Sequence, residues 1–188
     1  CDDLDMRILS SDSHVIEPPT VWAEHVDPAF RDRVPRVVRE ADTDRLVCDG
    51  LEFPPFALYA GCLRTDDHVR QHGRWQEDVP AEAYEPIARR TAVRADGVSG
   101  EVLFPTVAMS FYLLDDVELQ RALFRAYNRW IAEFCATDPT FYRGLAALNA
   151  DDVADAVREL EQAHALGLAG AMLPLFASAS QPYHDPAY

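Results

Sequence analysis

Asp12, His14 and Glu17 stand together in the stretch S-S-D-S-H-V-I-E-P-P, residues 10–19. A carboxylate and an imidazole two positions apart share one face of a β-strand. Side by side at a strand's carboxyl end, they are the ligand types that a borderline divalent metal such as zinc takes. Glu17 follows closely enough to be a further ligand or a partner behind the first two. The same residues also suit a strand ending in a turn, with Asp12 bonding its own backbone. A second pair, His68 and His72, has the four-residue spacing of paired ligands on a helix face. It lacks the Glu of the H-E-x-x-H pattern, so solvated helix-face histidines are the expectation.

The elements that must hold Asp12 and His14 alternate along the chain. A short apolar segment, Met6 to Leu9, reads as a buried strand leading into the motif, over about residues 6–11. Pro18 and Pro19 end it. From there to about Arg94 prolines are frequent and periodicity is poor, except where Arg45–Cys48 and Leu51–Phe53 flank Asp49-Gly50, a hairpin signal. Thr20–His25 reads as a short helix with Trp22 and Val26 on one face. Glu101–Thr106 then predicts a buried strand. Asp115 or Asp116 starts a helix to about Thr137, whose stripe of Leu119, Leu123, Phe124, Tyr127, Trp130, Ile131, Phe134 and Cys135 faces a core. Gly144–Asn149 predicts a third strand. Asp151 or Asp152 caps a second helix with Val153, Val157, Leu160 and His164 on one side, closed by Gly167. Ala169–Leu175 predicts a fourth strand. Strands alternating with amphipathic helices mean parallel βαβ units.

Composition narrows the function classes. The chain has 188 residues, 48% hydrophobic and 26% charged, as expected of one globular domain. Its formal charge of −15 repels phosphate backbones, so no nucleic-acid partner is expected. No run approaches the ~18 apolar residues of a membrane span. All the basic residues are Arg, which removes Schiff-base, P-loop and carbamylated metal-bridging Lys chemistry. Cys1, Cys48, Cys62 and Cys135 show no C-x-x-C spacing, and the expected compartment is a reducing cytoplasm. A Rossmann-type nucleotide site lacks its G-x-G-x-x-G after the first strand. Asp185-Pro186 reads as the cap and first residue of a helix, yet the sequence stops at Tyr188, so a longer protein is expected.

Four ordered segments, S-S-D-S-H-V-I-E-P-P, G-V-S-G-E-V-L-F-P-T, Y-N-R-W-I-A-E-F-C and P-Y-H-D-P, resemble the amidohydrolase-related family. The likeness is to the branch of aminocarboxymuconate-semialdehyde and resorcylate-type decarboxylases. The resemblance implies an α/β fold, a partial (β/α)8 barrel, with its site at the carboxyl ends of the strands. A whole barrel takes ~250 residues, so the first four β/α units are expected, with an insertion at 18–95 inside one domain. Asp12 and His14 match the family's metal pair, with Asp in place of the more usual first His. The resemblance implies one divalent metal, zinc favoured and manganese as the alternative. The family's further His and Asp are expected beyond Tyr188. It implies a hydrolase or carboxy-lyase for a small aromatic or cyclic carboxylic acid, and a homo-oligomer when full length. Thr106, Asn149, Phe176 and His184 are candidate pocket residues, and Arg64 a candidate for a substrate carboxylate. The reading from a different class is a non-catalytic α/β binding or interaction domain derived from that fold.

Overall fold

The computed structural model describes residues 7–56, 72–175, 182–186 and 188. Cys1, Cys62, Arg64, His68 and Phe176 lie outside the described residues.

A parallel sheet of four strands forms the frame. Its strands are β1 (Ile8–His14), β5 (Val98–Phe104), β6 (Tyr142–Ala147) and β7 (Gly170–Met172), hydrogen-bonded in the order β1-β5-β6-β7. A three-stranded antiparallel sheet of β2 (Arg36–Arg39), β3 (Asp44–Cys48) and β4 (Leu51–Glu52) stands apart from it. Asp49 (φ 47°) and Gly50 (φ 84°) join β3 to β4, both in the left-handed region that such a two-residue turn requires. The helices are α1 (Val21–His25), α2 (Trp75–Asp78), α3 (Pro86–Ala95), α4 (Val117–Ala136) and α5 (Val153–Ala165).

α4 is the main packing element. Asp116 caps it, accepting from the N–H groups of Glu118 and Leu119. Its apolar stripe is buried from Leu119 to Cys135 and lies across β6 and α1. Two polar groups share the stripe. The Asn128 amide brackets Ala147, donating to its carbonyl at 3.1 Å and accepting from its N–H at 2.8 Å. Gln120 donates to the Phe111 carbonyl. Trp22 of α1 meets Phe111 edge to face at 4.8 Å, tying the segment after β1 into the same core. Cys48 and Cys135 are buried free thiols.

Three expectations need correction. The segment leading into the motif is exposed at Ile8 and Leu9, and among the described strands β1 is paired only by β5. The fourth strand is short, with Leu173 51% and Leu175 85% exposed. On α5, Val157 and Leu160 are 49% and 43% exposed, while Ala163 is the residue that enters the core. In each case the apolar pattern is real, but the described residues leave much of it uncovered. Such faces are what a barrel opened between β7 and β1 presents. The stretch after Pro18 is also more ordered than its prolines suggest. It holds β2 and α3, where Pro86 takes the first helical position.

Candidate metal-ligand pair at the end of β1

β1 reaches the site through a bulge. Ser10 pairs with Glu101 and Ser13 with Leu103, so three steps on β1 answer two on β5. The hydroxyls of Ser10 and Ser13 are 2.6 Å apart across it. The bulge carries Asp12, and His14 ends the strand. Asp12 Oδ1 lies 3.5 Å from His14 Nε2, and their side chains are 81% and 43% exposed, so both are open to solvent.

The tautomer of His14 follows from its second nitrogen. Nδ1 lies 2.8 Å from the carbonyl oxygen of Pro105. A carbonyl only accepts, so Nδ1 carries a proton, and in the neutral ring Nε2 turns its lone pair toward Asp12. Two electron-rich atoms then face one space, which suits a cation between them. A ring N–H held by a backbone carbonyl is the usual support of a metal-binding imidazole. Phe104 stacks on the ring at 5.7 Å between centroids, with 27° between planes.

Beneath the pair lies a buried charge network. Arg89 of α3 forks onto Glu101 of β5, at 2.9 Å through Nε and 2.8 Å through Nη2. Its Nη1 donates to the backbone carbonyl of His14 at 3.0 Å. Both side chains are nearly inaccessible, so each charge depends on the other. Sequence reasoning missed this network. The available signal was Glu101 itself, a charge in an otherwise apolar strand that needs a partner once buried.

Glu17 is buried, and its carboxylate accepts from three successive backbone N–H groups. Thr106 (3.2 Å) and Val107 (2.9 Å) reach Oε2, and Ala108 (2.9 Å) reaches Oε1. Burial pushes its carboxyl above the ordinary value, against the pull of the Ala108, Val107 and Thr106 N–H groups toward the charged form. Thr106 thus follows β5 with its N–H committed to Glu17.

Asn149 lies after β6, buried, donating to Gln120 and accepting from the Asp151 N–H. It borders a cleft of about 570 Å³ with Met109, Tyr112, Leu113, Met172 and Leu173. The Tyr112 hydroxyl donates to the Leu148 carbonyl, and burial drives its pKa well above the ordinary phenol value. His184 is exposed in the turn near the chain's end. His72 lies 3.5 Å from Asp42 at the surface. Among the described residues no three His, Cys, Asp or Glu side chains converge to hold a metal ion. Asp12 and His14 are therefore a pair, with the donor chemistry for a divalent cation but not a full coordination shell.

No family model and no curated protein matches the chain. Solved structures do match its fold. An amidohydrolase from Mycobacterium avium subsp. paratuberculosis superposes with a TM-score of 0.71 at 20% identity, over 90% of this chain and 49% of that one. A dihydroxybenzoic acid decarboxylase from Polaromonas sp. JS666, with bound manganese and 2-nitroresorcinol, gives 0.53 at 20% identity over 97% and 44%. A 5-carboxyvanillate decarboxylase from Novosphingobium aromaticivorans, also with manganese, gives 0.56 at 15% identity over 98% and 46%. The chain spans about half the length of each. The four parallel strands and their helices thus share the fold of about half of an α/β barrel of the kind found in these structures.

Proposed function

We propose that this chain contributes the first metal-ligand pair, Asp12 and His14, to an enzyme with one divalent metal acting on a small aromatic or cyclic carboxylic acid. The observation that carries this reading is the His14 ring, held through Nδ1 by the Pro105 carbonyl and turned with Nε2 toward Asp12. Manganese is the metal to test first, because a carboxylate in the pair suits it and two structural neighbours hold it. Zinc is the comparison. When bound, such an ion polarises a substrate oxygen or lowers the pKa of a bound water.

The chain's own part is to hold the imidazole in one tautomer, keep Asp12 beside it and border a cleft at the strands' carboxyl ends. Decarboxylation is preferred to hydrolysis because two of the structural neighbours are decarboxylases of aromatic acids. The first test is Mn2+ binding, followed by electron paramagnetic resonance, in the wild type and in His14→Ala and Asp12→Ala. Each substitution is expected to weaken binding by about tenfold or more, or about 1.4 kcal/mol. Equal affinity in all three would leave the non-catalytic binding domain as the better reading. In the protein that carries this chain, carbon dioxide release from hydroxybenzoic acids, set against acid release from amides, separates lyase from hydrolase.

A further inference from the structure

The peptide unit joining Pro105 to Thr106 touches the candidate site from both ends. Its carbonyl accepts from His14 Nδ1 at 2.8 Å, and its N–H donates to Glu17 Oε2 at 3.2 Å. A trans peptide is planar, so its C=O and N–H point in opposite directions and turn together. Fixing the N–H therefore fixes the direction of the carbonyl. Val107 and Ala108 lend Glu17 two further N–H groups, so the carboxylate holds three consecutive residues after β5. The carboxylate is buried, and a bond at each end of that peptide leaves it little room to rotate.

We infer that Glu17 is a positioning residue for His14: through the Pro105–Thr106 peptide it fixes the imidazole with Nδ1 protonated and Nε2 free. The inference rests on the metal reading only for the purpose of the lock, since the lock itself exists without metal. Glu17 makes no contact with the ligand space. It follows His14 by three residues, so this turn carries both the ligand and the group that orients it. Pro105 suits the middle position, having no N–H of its own to continue the ladder beyond Phe104. The Phe104 carbonyl is taken by the Val15 N–H at 3.1 Å, which leaves the next carbonyl to the ring.

The test is which nitrogen carries the proton in the neutral His14 ring, read by nitrogen-15 NMR without metal at a pH where the spectrum shows the ring uncharged. His14→Gln assigns the signal. In the wild type the Nδ1–H form is expected alone. In Glu17→Met, which keeps the side-chain length but removes both acceptors, the ring is expected to divide between tautomers. Mn2+ affinity is expected to fall by about 10–100-fold, the usual effect of losing a group that orients a ligand. Glu17→Gln, with one oxygen able to serve Thr106 and Val107, is expected to recover most of both. An unchanged ring and unchanged affinity in a folded Glu17→Met protein would overturn the inference, as would a wild-type ring protonated on Nε2. Should Glu17→Met not fold, hydrogen exchange at the wild-type Thr106 amide decides: strong protection is expected, and fast exchange overturns the lock. A locked ring in a wild type that binds no Mn2+ would sink the metal reading and sustain the lock.

Discussion

Removing the Arg89 guanidinium is the sharpest perturbation of the frame beneath the candidate site. Glu101 is 4% exposed, and its two oxygens take both arms of Arg89, so Arg89→Met strands a buried carboxylate. Breaking a buried pair from one side costs about 3–5 kcal/mol. With a urea dependence of about 2 kcal/mol per molar, the unfolding midpoint should fall by about 1.5–2.5 M. Glu101→Met should cost a similar amount, since it strands the guanidinium. The double variant removes both charges, and the remaining loss is the donor to the His14 and Glu82 carbonyls, at about 1–3 kcal/mol. Equilibrium urea unfolding of all four proteins closes the cycle, and the double variant should be far more stable than the sum of the singles. Additive losses would refute the claim that these two charges exist for each other.

Two further outcomes are expected elsewhere in the fold. Bonds from the Thr140 hydroxyl and Arg90 hold the Asp138 carboxyl at about 2, below its ordinary 3.8, so its stabilisation is complete above about pH 4 and lost as pH falls to about 2. Asp138→Asn should flatten that part of the acid unfolding curve, as read by circular dichroism against pH, and an unchanged acid limb would contradict the assignment. A Cβ at Gly144 would sit 3.0 Å from both Cys135 Sγ and Ile131 Cγ1, so Gly144→Ala should cost about 1–3 kcal/mol through overpacking. The melting temperature should drop by roughly 3–10 °C and partly recover when Cys135→Ala makes room.

What could be read from the residues divides along physical lines. Features set by local chemistry were legible. Asp116 caps α4 because its carboxylate bonds the next N–H groups, and Gly167 (φ 88°) ends α5 because that backbone shape favours glycine. Asp49-Gly50 makes its turn for the same reason. Features set by distant partners were not. Arg89 gains its role from Glu101, twelve residues away, and from His14, 75 residues away. The apolar stripe of Val157 and Leu160 predicts amphipathicity but cannot say whether anything covers it. β2 was missed because its four residues are all exposed, so no burial imposed an apolar alternation. At the candidate site, the spacing of Asp12 and His14 suggested a shared face, while the bulge that carries Asp12 left no mark on the sequence.

That bulge changes how this segment can diverge. An extra residue in a strand reverses the parity of the residues before it, so the faces taken by Leu9 and Ser10 are set independently of the face taken by Asp12 and His14. A second irregularity, with the extra residue on β5 between Val98 and Gly100, returns Ile8 to the register of the motif. The motif is anchored from downstream, through Pro105 and Arg89, rather than by the strand that leads to it. The leading residues are then free to gain, lose or exchange side chains for packing without turning the ligand pair away. A loss at Ser11 would be absorbed differently: it would straighten the ladder and turn Leu9 and Ser10 to the opposite face, while Asp12 and His14 stayed where Pro105 and Arg89 hold them. Substitutions upstream are cheap and a single deletion is not, which makes this stretch tolerant of drift in composition and intolerant of drift in length.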